Sequence, residues 1–342
     1  MYLFDNNSEE KDDKLYTSIG ASGRILMKVI KNIADITQEL QGSIITIGNF
    51  DGIHLGHQKI FKRVVAESRQ QVRKPVVITF DPHPKKVIHP ERRPFFILAP
   101  VEEKLSLIAA AGIDTTILIP FSPEFSQTTA EEFVNDILWN RLQTKKIIIG
   151  YDYKFGKDKG GNANLLRNYG AKLGFEVEEI AAIKLGDTIV SSTNIRLSIL
   201  AGDVGMAAKM LGRPYNVRGI VSRGYRRGTE IGYPTANIES EKVIPAIGVY
   251  AIVAEFDGKR YQGVINIGYC PTFGNEEITA EVHLLDFQGD IYGREMEVFF
   301  IDRLRDELKL ESSEQLVKQI KKDIQQARTI LAPHFTNGHN EG

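Results

Sequence analysis

Short apolar runs alternate with amphipathic helical patterns from residue 27 to about residue 200, and this alternation constrains the fold more than any other feature. Strands that alternate with helices pair in parallel, because each helix carries the chain back across the sheet. The predicted strands are 43–47, 76–80, 115–119, 146–150 and 175–180. The first part of the chain is therefore predicted to be an α/β domain with a parallel sheet.

The sequence pattern changes near residue 217, where short β-rich runs are broken by Gly and Pro. The predicted strands of this part are 249–255, 264–267, 278–285 and 297–301. Their lengths and spacing predict a small antiparallel barrel or sandwich. A helix is predicted over 194–211, with an interruption near Gly202 and Gly205, and another is predicted over 313–331 with a single apolar stripe.

These patterns divide the chain into four segments. Residues 1–26 are polar and irregular, and they are predicted to form a disordered extension. Residues 27–202 form the predicted α/β domain, and residues 203–332 form the predicted β domain with its closing helix. Residues 333–342 are expected to be a tail.

Composition excludes several classes of function. The 342 residues are 42% hydrophobic and 25% charged, which is typical of globular domains. The net charge of -1 gives no general attraction for nucleic acid or for an anionic membrane. No apolar run approaches the roughly 18 residues of a membrane-spanning helix, and the single cysteine, Cys270, fits a reducing compartment. We therefore expect a cytoplasmic protein whose partners are small molecules.

The segment GNFDGIHLGH, residues 48–57, joins a predicted strand to a helix predicted over 58–68. Its glycines let the backbone approach a ligand closely, and the unpaired N–H groups of a helix start attract anions. His54 and His57 lie on one face of the first turn, where both imidazoles can donate hydrogen bonds to phosphate oxygens. The segment predicts a phosphate site with the candidate residues Gly48, Phe50, Asp51, His54, Gly56 and His57.

The H-x-x-H spacing alone is equally typical of a pair of surface histidines or of half of a metal site. Zinc would need further Cys or His ligands, and Cys270 is distant in sequence. The strand, the glycines, Asp51 and the two histidines together resemble the HxGH signature of the nucleotidylyltransferase superfamily. Members of that superfamily transfer an adenylyl or cytidylyl group from a nucleoside triphosphate.

Three further segments accompany this site: DPHP at 81–84, GYDYKFG at 150–156 and SSTNIR at 191–196. Ligands of parallel sheets bind beyond the carboxyl ends of the strands, which is where Asp152 falls. The hydroxyl groups of Ser192 and Thr193 open a helix, and Arg196 follows one turn later, which predicts a second phosphate clamp. Ordinary turns and a plain helix cap with a solvated arginine are the alternatives.

The β part carries a second candidate site. Four glycines come before two oxygen-bearing side chains in the sequence, namely Gly219, Gly224, Gly228 and Gly232 before Thr235 and Asn237. Such a set suits magnesium and phosphate together, although no G-K-[ST] of a Walker loop follows. Glu281 alternates with apolar neighbours in a predicted strand, so its carboxylate is expected on the opposite face. A structural glycine loop and a solvated glutamate are the alternatives.

The motifs GNFDGIHLGH, TFDPHP, GYDYKFG, SSTNIR and GDVGMAAKMLGRPY resemble those of the bacterial bifunctional riboflavin kinase/FMN adenylyltransferases. GYPTAN, AEVHLLDF and GDIYG resemble the riboflavin kinase domain of that family, and the resemblance spans about Met27 to Arg328. It implies a Rossmann-like nucleotidylyltransferase domain with a parallel sheet, followed by a six-stranded antiparallel β-barrel with a terminal helix.

The resemblance also implies roles for particular residues. The phosphate-binding residues would be His54, His57, Ser192, Thr193 and Arg196, and Asp152 would help to hold the nucleotide. In the barrel, Glu281 would accept the 5′-hydroxyl proton of riboflavin. Thr235 and Asn237 would bind magnesium and ATP.

The expected function is therefore the synthesis of FAD in two steps, each with ATP as substrate and Mg²⁺ as cofactor. Riboflavin would be phosphorylated to FMN, and FMN would be adenylylated to FAD with release of pyrophosphate. The alternative is a nucleotidylyltransferase with one activity, whose barrel is a flavin-binding regulatory module. A nucleotidylyltransferase acting on phosphopantetheine or nicotinate mononucleotide would not need such a barrel, and a class I tRNA synthetase would need a KMSKS-like loop.

Overall fold

The computed structural model describes residues 14–20, 23–91, 96–223, 233, 235–272, 275–308 and 312–335. The chain divides into two compact units, Met1–Ser192 and Thr193–Gly342. This division falls earlier in the chain than the predicted boundary between residues 202 and 203, which stays a prediction. Each unit contains its own large sheet.

The first unit is built on a seven-stranded sheet. Its strands are β1 (Lys14–Gly20), β2 (Gly23–Ile30), β3 (Ile44–Ile47), β4 (Pro75–Asp81), β5 (Thr115–Pro120), β6 (Lys146–Gly150) and β7 (Glu176–Ile180). They lie in the order β1-β2-β5-β4-β3-β6-β7, and every neighbouring pair from β2 to β7 is parallel. The predicted parallel sheet and its five predicted strands are confirmed.

Helices connect these strands and cover the sheet. They are α1 (Leu55–Gln70), α2 (Pro84–Ile88), α3 (Val101–Ala110), α4 (Ala130–Glu132), which continues as a π-helix (Phe133–Arg141), and α5 (Ala163–Leu173). Single 3-10 turns occupy Ile33–Asp35, Gln38–Leu40, Phe125–Gln127 and Lys157–Lys159. Helix α1 begins before the predicted 58–68 helix, because His54 caps it.

Alternate residues of β3 face two different hydrophobic clusters. Ile45 and Ile47 pack in the cluster that contains Phe133 of the π-helix. Ile44 packs in the cluster that contains Phe61 of α1. The sheet is therefore covered on both faces, which explains why all of β3 is buried and apolar or hydroxylic.

The N-terminal segment differs from the prediction of a disordered extension over 1–26. Strand β1 pairs antiparallel with β2 along its whole length and forms an edge of the sheet. β-branched residues such as Thr17 and Ile19 favour a strand, and β2 offers an edge to which it can pair. Residues 1–13 lie outside the described part of the chain.

A small hairpin of β8 (Lys184–Leu185) and β9 (Thr188–Ile189) precedes two helices. The helices are α6 (Ser192–Leu200) and α7 (Val204–Leu211). The predicted interruption near Gly202 and Gly205 is confirmed, since α6 ends at Leu200 and α7 begins at Val204, with Gly202 at a φ of 79° between them. Gly205 lies just after this break, in the first turn of α7.

The second unit contains a closed six-stranded antiparallel barrel, as the family resemblance implied. Its strands are β10 (Tyr215–Arg223), β11 (Ala236–Ile238), β12 (Gly248–Phe256), β13 (Lys259–Thr272), β14 (Asn275–Leu284) and β15 (Glu295–Arg305). They close in the order β10-β11-β14-β13-β12-β15. Closure leaves no free sheet edge, because every strand has a partner on both sides.

The terminal helix α8 (Ser313–Leu331) has the predicted bounds and ends in a 3-10 turn (Ala332–His334). Ala327 and Leu331 of its apolar stripe are fully buried in a cluster with barrel residues. Asp323 of the same helix is also buried, and its carboxylate accepts hydrogen bonds from the Arg305 guanidinium at 2.8–3.1 Å. Within the described ranges, the structure contains no helix with the length and apolar character that crossing a bilayer requires.

Candidate active sites

The loop between β3 and α1 lies at the topological switch point of the sheet, where the strand order reverses. The chain runs from β3 to β4 and β5 on one side, and β6 then pairs with β3 on the other side. Ligands of open α/β sheets bind at such a switch point, beyond the carboxyl ends of the strands. The N–H of Gly48 donates to the carbonyl of Ile78, which anchors the start of this loop to β4.

His54 caps helix α1 with its side chain. Its Nδ1 accepts hydrogen bonds from the backbone N–H groups of Gly56 at 3.1 Å and His57 at 3.4 Å. Because Nδ1 is an acceptor, the proton of the neutral ring must be on Nε2, where it can be donated to a ligand. A Cβ at Gly56 would lie only 3.0 Å from two atoms of this ring, so the glycine makes room for the cap.

His57 stacks on His54, with ring centroids 3.6 Å apart and planes inclined by 23°. Burial, and secondly the neighbouring charge of His54, hold the pKa of His57 well below its ordinary value. The buried Nδ1 of His57 has no hydrogen-bond partner within the described ranges. The predicted pairing of the two rings at the helix start is confirmed, and the geometry makes His57 neutral before an anion binds.

Three other predicted residues build the loop itself. Phe50 is buried with a φ of 47°, and its ring meets His57 edge to face at a centroid distance of 5.1 Å. A Cβ at Gly48 would lie 3.0–3.3 Å from that ring, so a glycine at this position leaves room for the Phe50 side chain. Asp51 is 4% exposed, and its Oδ1 accepts from the N–H groups of Leu98 at 3.0 Å and Ala99 at 3.1 Å. Direct contact of these three residues with a nucleotide stays a prediction.

Ser192 joins this loop through its hydroxyl group, which donates to the carbonyl of Asp51 at 2.8 Å. Ser192 is also the first residue of α6, and Thr193 and Arg196 follow in the same helix. These two belong to the second unit, so their position relative to the histidine pair stays a prediction. Asp152 is exposed just after β6, the strand that pairs with β3.

Sequence reasoning missed Lys104, a lysine of α3 that is only 6% exposed. Its Nζ donates to the carbonyl of Phe80 at 2.8 Å and to Oγ1 of Thr79 at 3.3 Å. Burial lowers the pKa of Lys104 to about 8. A signal was present in the sequence, since Lys104 lies at helical spacing among apolar residues, namely Val101, Leu105 and Ile108.

The second site lies in the barrel, where β11 pairs with β14 and places Asn237 directly opposite Glu281. The hydroxyl of Thr235 donates to Oε2 of Glu281 at 3.4 Å. Ala280 and Val282 are buried while Glu281 is half-buried, so the predicted alternation of faces is confirmed. The structure therefore brings together the three side chains that the sequence singled out.

The predicted glycine loop is only partly described. A Cβ at Gly219 would lie 1.9 Å from the carbonyl oxygen of Glu239, so a close backbone approach requires this glycine. A phosphate contact of Gly219 stays a prediction. The other three glycines of the motif, Gly224, Gly228 and Gly232, lie outside the described residues.

His283 is a second residue that sequence reasoning missed. It lies two positions beyond Glu281 on β14, on the same face of the strand. Its ring meets that of Tyr233 edge to face, with a centroid distance of 5.5 Å. Tyr233 precedes Thr235 in the GYPTAN motif, so this contact ties the motif to the strand that carries Glu281.

Thr235 and Asn237 are suited to a magnesium ion. The Oδ1 of Asn237 is buried and has no hydrogen-bond partner among the residues described, which leaves an oxygen ligand available. Over the same residues, no group of three or more His, Cys, Asp or Glu side chains could hold a metal by itself. Mg²⁺ commonly binds through a few protein oxygens together with substrate phosphates, and this set of donors fits that mode.

Comparison with known proteins agrees with two sites in one chain. The family model of FAD synthetase matches residues 36–194, and that of riboflavin kinase matches residues 211–331. A bifunctional riboflavin kinase/FMN adenylyltransferase of Buchnera aphidicola is 37% identical over 304 residues, covering 87% of this chain and 97% of that protein. The chain belongs to the bifunctional riboflavin kinase/FMN adenylyltransferase family.

Other members of the family are similarly close. The enzyme of that name from Pseudomonas fluorescens is 34% identical and covers 90% of this chain and 99% of its own length. A crystal structure described as a macrolide-efflux protein from Streptococcus pneumoniae is 37% identical, with a TM-score of 0.79. That structure covers 88% of this chain and 98% of its own length.

Proposed function

We propose that the chain makes FAD from riboflavin by two successive ATP-dependent transfers, with each site assigned to named residues. The barrel phosphorylates riboflavin and releases ADP, and the α/β unit joins FMN to the AMP part of ATP and releases pyrophosphate. Family membership supports both reactions. The geometry of the two sites supports the assignment of the residues.

In the kinase reaction, the Glu281 carboxylate accepts the proton of the riboflavin 5′-hydroxyl while that oxygen attacks the γ-phosphorus of ATP. The bond between the γ-phosphorus and the bridging oxygen breaks, and ADP leaves. The Thr235 hydroxyl, which donates to Glu281 Oε2 at 3.4 Å, orients the carboxylate. Thr235 and Asn237 would hold Mg²⁺, whose charge offsets that of the phosphates. Backbone N–H groups near the four predicted glycines, Gly219, Gly224, Gly228 and Gly232, would bind phosphate oxygens.

In the adenylyl transfer, a phosphate oxygen of FMN attacks the α-phosphorus of ATP, and the bond from the α-phosphorus to the bridging oxygen of pyrophosphate breaks. No covalent enzyme intermediate is needed, so catalysis rests on positioning and on neutralising charge. His54 donates from Nε2, because its Nδ1 is occupied by backbone N–H groups. An anion beside His57 favours its protonated form, so both rings can donate once the triphosphate is bound.

The remaining predicted residues complete this site. Ser192, Thr193 and Arg196 would bind phosphate from the start of α6, and Asp152 would hold the nucleotide. The backbone of the loop that contains Gly48, Phe50, Asp51 and Gly56 would approach the phosphates closely. The observation that carries this proposal is the stacked pair His54 and His57 at the start of α1.

One incubation tests both reactions. Purified protein is mixed with riboflavin, ATP and Mg²⁺, the flavins are separated by chromatography, and ADP and pyrophosphate are measured. FMN is expected first and FAD later, with one ADP for each FMN formed and one pyrophosphate for each FAD formed. Absence of FMN from riboflavin would refute the kinase assignment. Absence of FAD when FMN is supplied directly would refute the adenylyltransferase assignment.

The alternative with a regulatory barrel makes a different prediction in the same incubation. A flavin-binding module without catalysis would leave riboflavin unchanged while FMN is still adenylylated. The hydrogen bond from the Thr235 hydroxyl to Glu281 favours a barrel that is catalytic over one that only binds flavin. The need for ATP in both steps supports a cytoplasmic location and small-molecule partners, without nucleic acid.

A further inference from the structure

Lys104 connects helix α3 to the strand and the loop that form the adenylyl-transfer site. Its buried ammonium donates to the carbonyl of Phe80 and to Oγ1 of Thr79, both near the carboxyl end of β4. The Thr79 hydroxyl in turn donates to the carbonyl of Asn49 at 3.3 Å. Asn49 directly precedes Phe50, whose ring contacts His57. A chain of polar contacts therefore runs from Lys104 to the histidine loop.

A second link joins the same two segments. Oδ1 of Asp51 accepts from the N–H groups of Leu98 and Ala99, which immediately precede α3. The segment 98–104 is thus held to the loop 48–53 directly at its first end and through Thr79 of β4 at its second end. A displacement of Lys104 would release its hydrogen bond to Thr79, whose hydroxyl donates to the carbonyl of Asn49 in that loop.

The carboxylate of Asp51 is an unfavourable charge at a site that is proposed to bind an anion. Its carboxylate is buried within the loop that is proposed to bind a triphosphate, and a buried negative charge there repels phosphate. Lys104 carries a compensating charge, since Asp81 of β4 and, to a smaller extent, Asp51 of the loop are the charged groups that interact with it electrostatically. We propose that Lys104 is a positioning residue for ATP, which holds the loop 48–53 to β4 and offsets the Asp51 carboxylate.

This inference rests on the proposed adenylyl transfer, and it predicts that the affinity for ATP depends on pH. Because burial lowers the pKa of Lys104 to about 8, its ammonium is present below that pH and is lost above it. The two aspartates raise this pKa and limit the shift. As pH rises through about 8, the ammonium charge of Lys104 no longer offsets that of Asp51, and ATP should bind more weakly.

The first experiment compares full-length variants in FMN adenylylation with ATP varied. Lys104→Met removes the charge at similar volume, Lys104→Arg keeps it, and Lys145→Met is a matched control at an exposed lysine beside β6. For Lys104→Met, KM for ATP should rise about tenfold with a smaller change in kcat, because one compensating charge is lost. Lys145→Met should match the parent, and riboflavin kinase activity in each preparation should be unchanged.

A second comparison separates charge compensation from a purely structural role. KM for ATP of the parent should rise from about pH 7 to about pH 9, whereas that of Lys104→Arg should not. The double variant Lys104→Met/Asp51→Asn should recover ATP affinity, since asparagine can still accept the two N–H bonds without the charge. Additive losses in the double variant, or identical pH profiles of parent and Lys104→Arg, would overturn the proposal.

The outcomes also separate this inference from the proposed function. If the parent protein forms no FAD from FMN and ATP, the proposed function itself fails. If the parent forms FAD and Lys104→Met has an unchanged KM for ATP, only the role of Lys104 fails. Should Lys104→Met fail to fold, as judged by circular dichroism, the pH profiles of the parent and Lys104→Arg decide the matter.

Discussion

Glu281→Gln is the sharpest perturbation of the barrel site. Glutamine has the size and shape of glutamate, and its carbonyl oxygen can still accept from the Thr235 hydroxyl. The substitution therefore removes the ability to accept a proton while leaving the packing beside Ala280 and Val282 in place. Any large loss of rate would then report on proton transfer rather than on folding.

The expected decrease in the rate of riboflavin phosphorylation follows from the proposed role of Glu281 as general base. A positioned general base contributes roughly 10² to 10⁴ in rate, which corresponds to about 3 to 5 kcal/mol of activation free energy. The Thr235 hydrogen bond adds little to this difference, because at 3.4 Å it is long and because glutamine retains it. Riboflavin phosphorylation should fall by this factor, and adenylylation of supplied FMN should stay within about twofold, since Glu281 lies outside the α/β unit.

The assay is separation of flavins by chromatography after incubation with riboflavin or with FMN. Glu255→Gln, a matched change in strand β12, serves as the control and should retain both activities. Retention of kinase activity within about fivefold in Glu281→Gln would refute the general-base role. Loss of both activities in a folded variant would refute the assignment of the reactions to separate sites.

Three further predictions concern the histidine site and the terminal helix. His57→Ala should lower FMN adenylylation by roughly 10² to 10³, so FMN accumulates without FAD when riboflavin is supplied, and unchanged FAD output would contradict this role. His57 has a lower pKa in the folded chain than in the unfolded chain, so the unfolded chain binds protons first as the pH falls below about 6.5. The free energy of unfolding of the α/β unit should therefore fall in acid, and urea titrations should show a smaller fall for His57→Gln. The same dependence on pH in the parent and the variant would contradict this prediction. Asp323→Ala removes the buried partner of the Arg305 guanidinium, which should cost about 3 kcal/mol, the low end for a buried ion pair, because Arg305 is 20% exposed. An unchanged urea midpoint of the barrel unit would contradict this prediction.

Local patterns in the sequence predicted most of the α/β unit. The strands around 44–47 and 146–150 are continuous buried runs, and the period of their neighbours identifies helices. The capping box of Thr129 and Glu132 is equally local, because it depends only on two residues three apart in the sequence. The meeting of His54 and His57 follows in the same way from the first turn of one helix.

Other features depend on which segments pack together, and the sequence alone did not indicate them. The edge strand β1 forms because β2 offers a free partner, although the charged N-terminal segment has the composition of a disordered one. Lys104 lies among apolar residues of α3, but the partners of its ammonium, Thr79 and Phe80 of β4, are set by tertiary packing. The role of Asp51 in holding Leu98 and Ala99 also depends on two segments that are distant in sequence.

Spacings within a few residues were enough to predict the alternation of strands and helices, the β-rich second half and the histidine pair, because each of these is encoded locally. Three-dimensional packing was needed to establish that the barrel closes, that Asn237 faces Glu281 across two strands, and that Lys104 donates to Thr79 and Phe80 of β4. Strand pairing and the burial of charge depend on partners far along the chain. The positions of those partners are set by the packing of the whole unit rather than by local propensity.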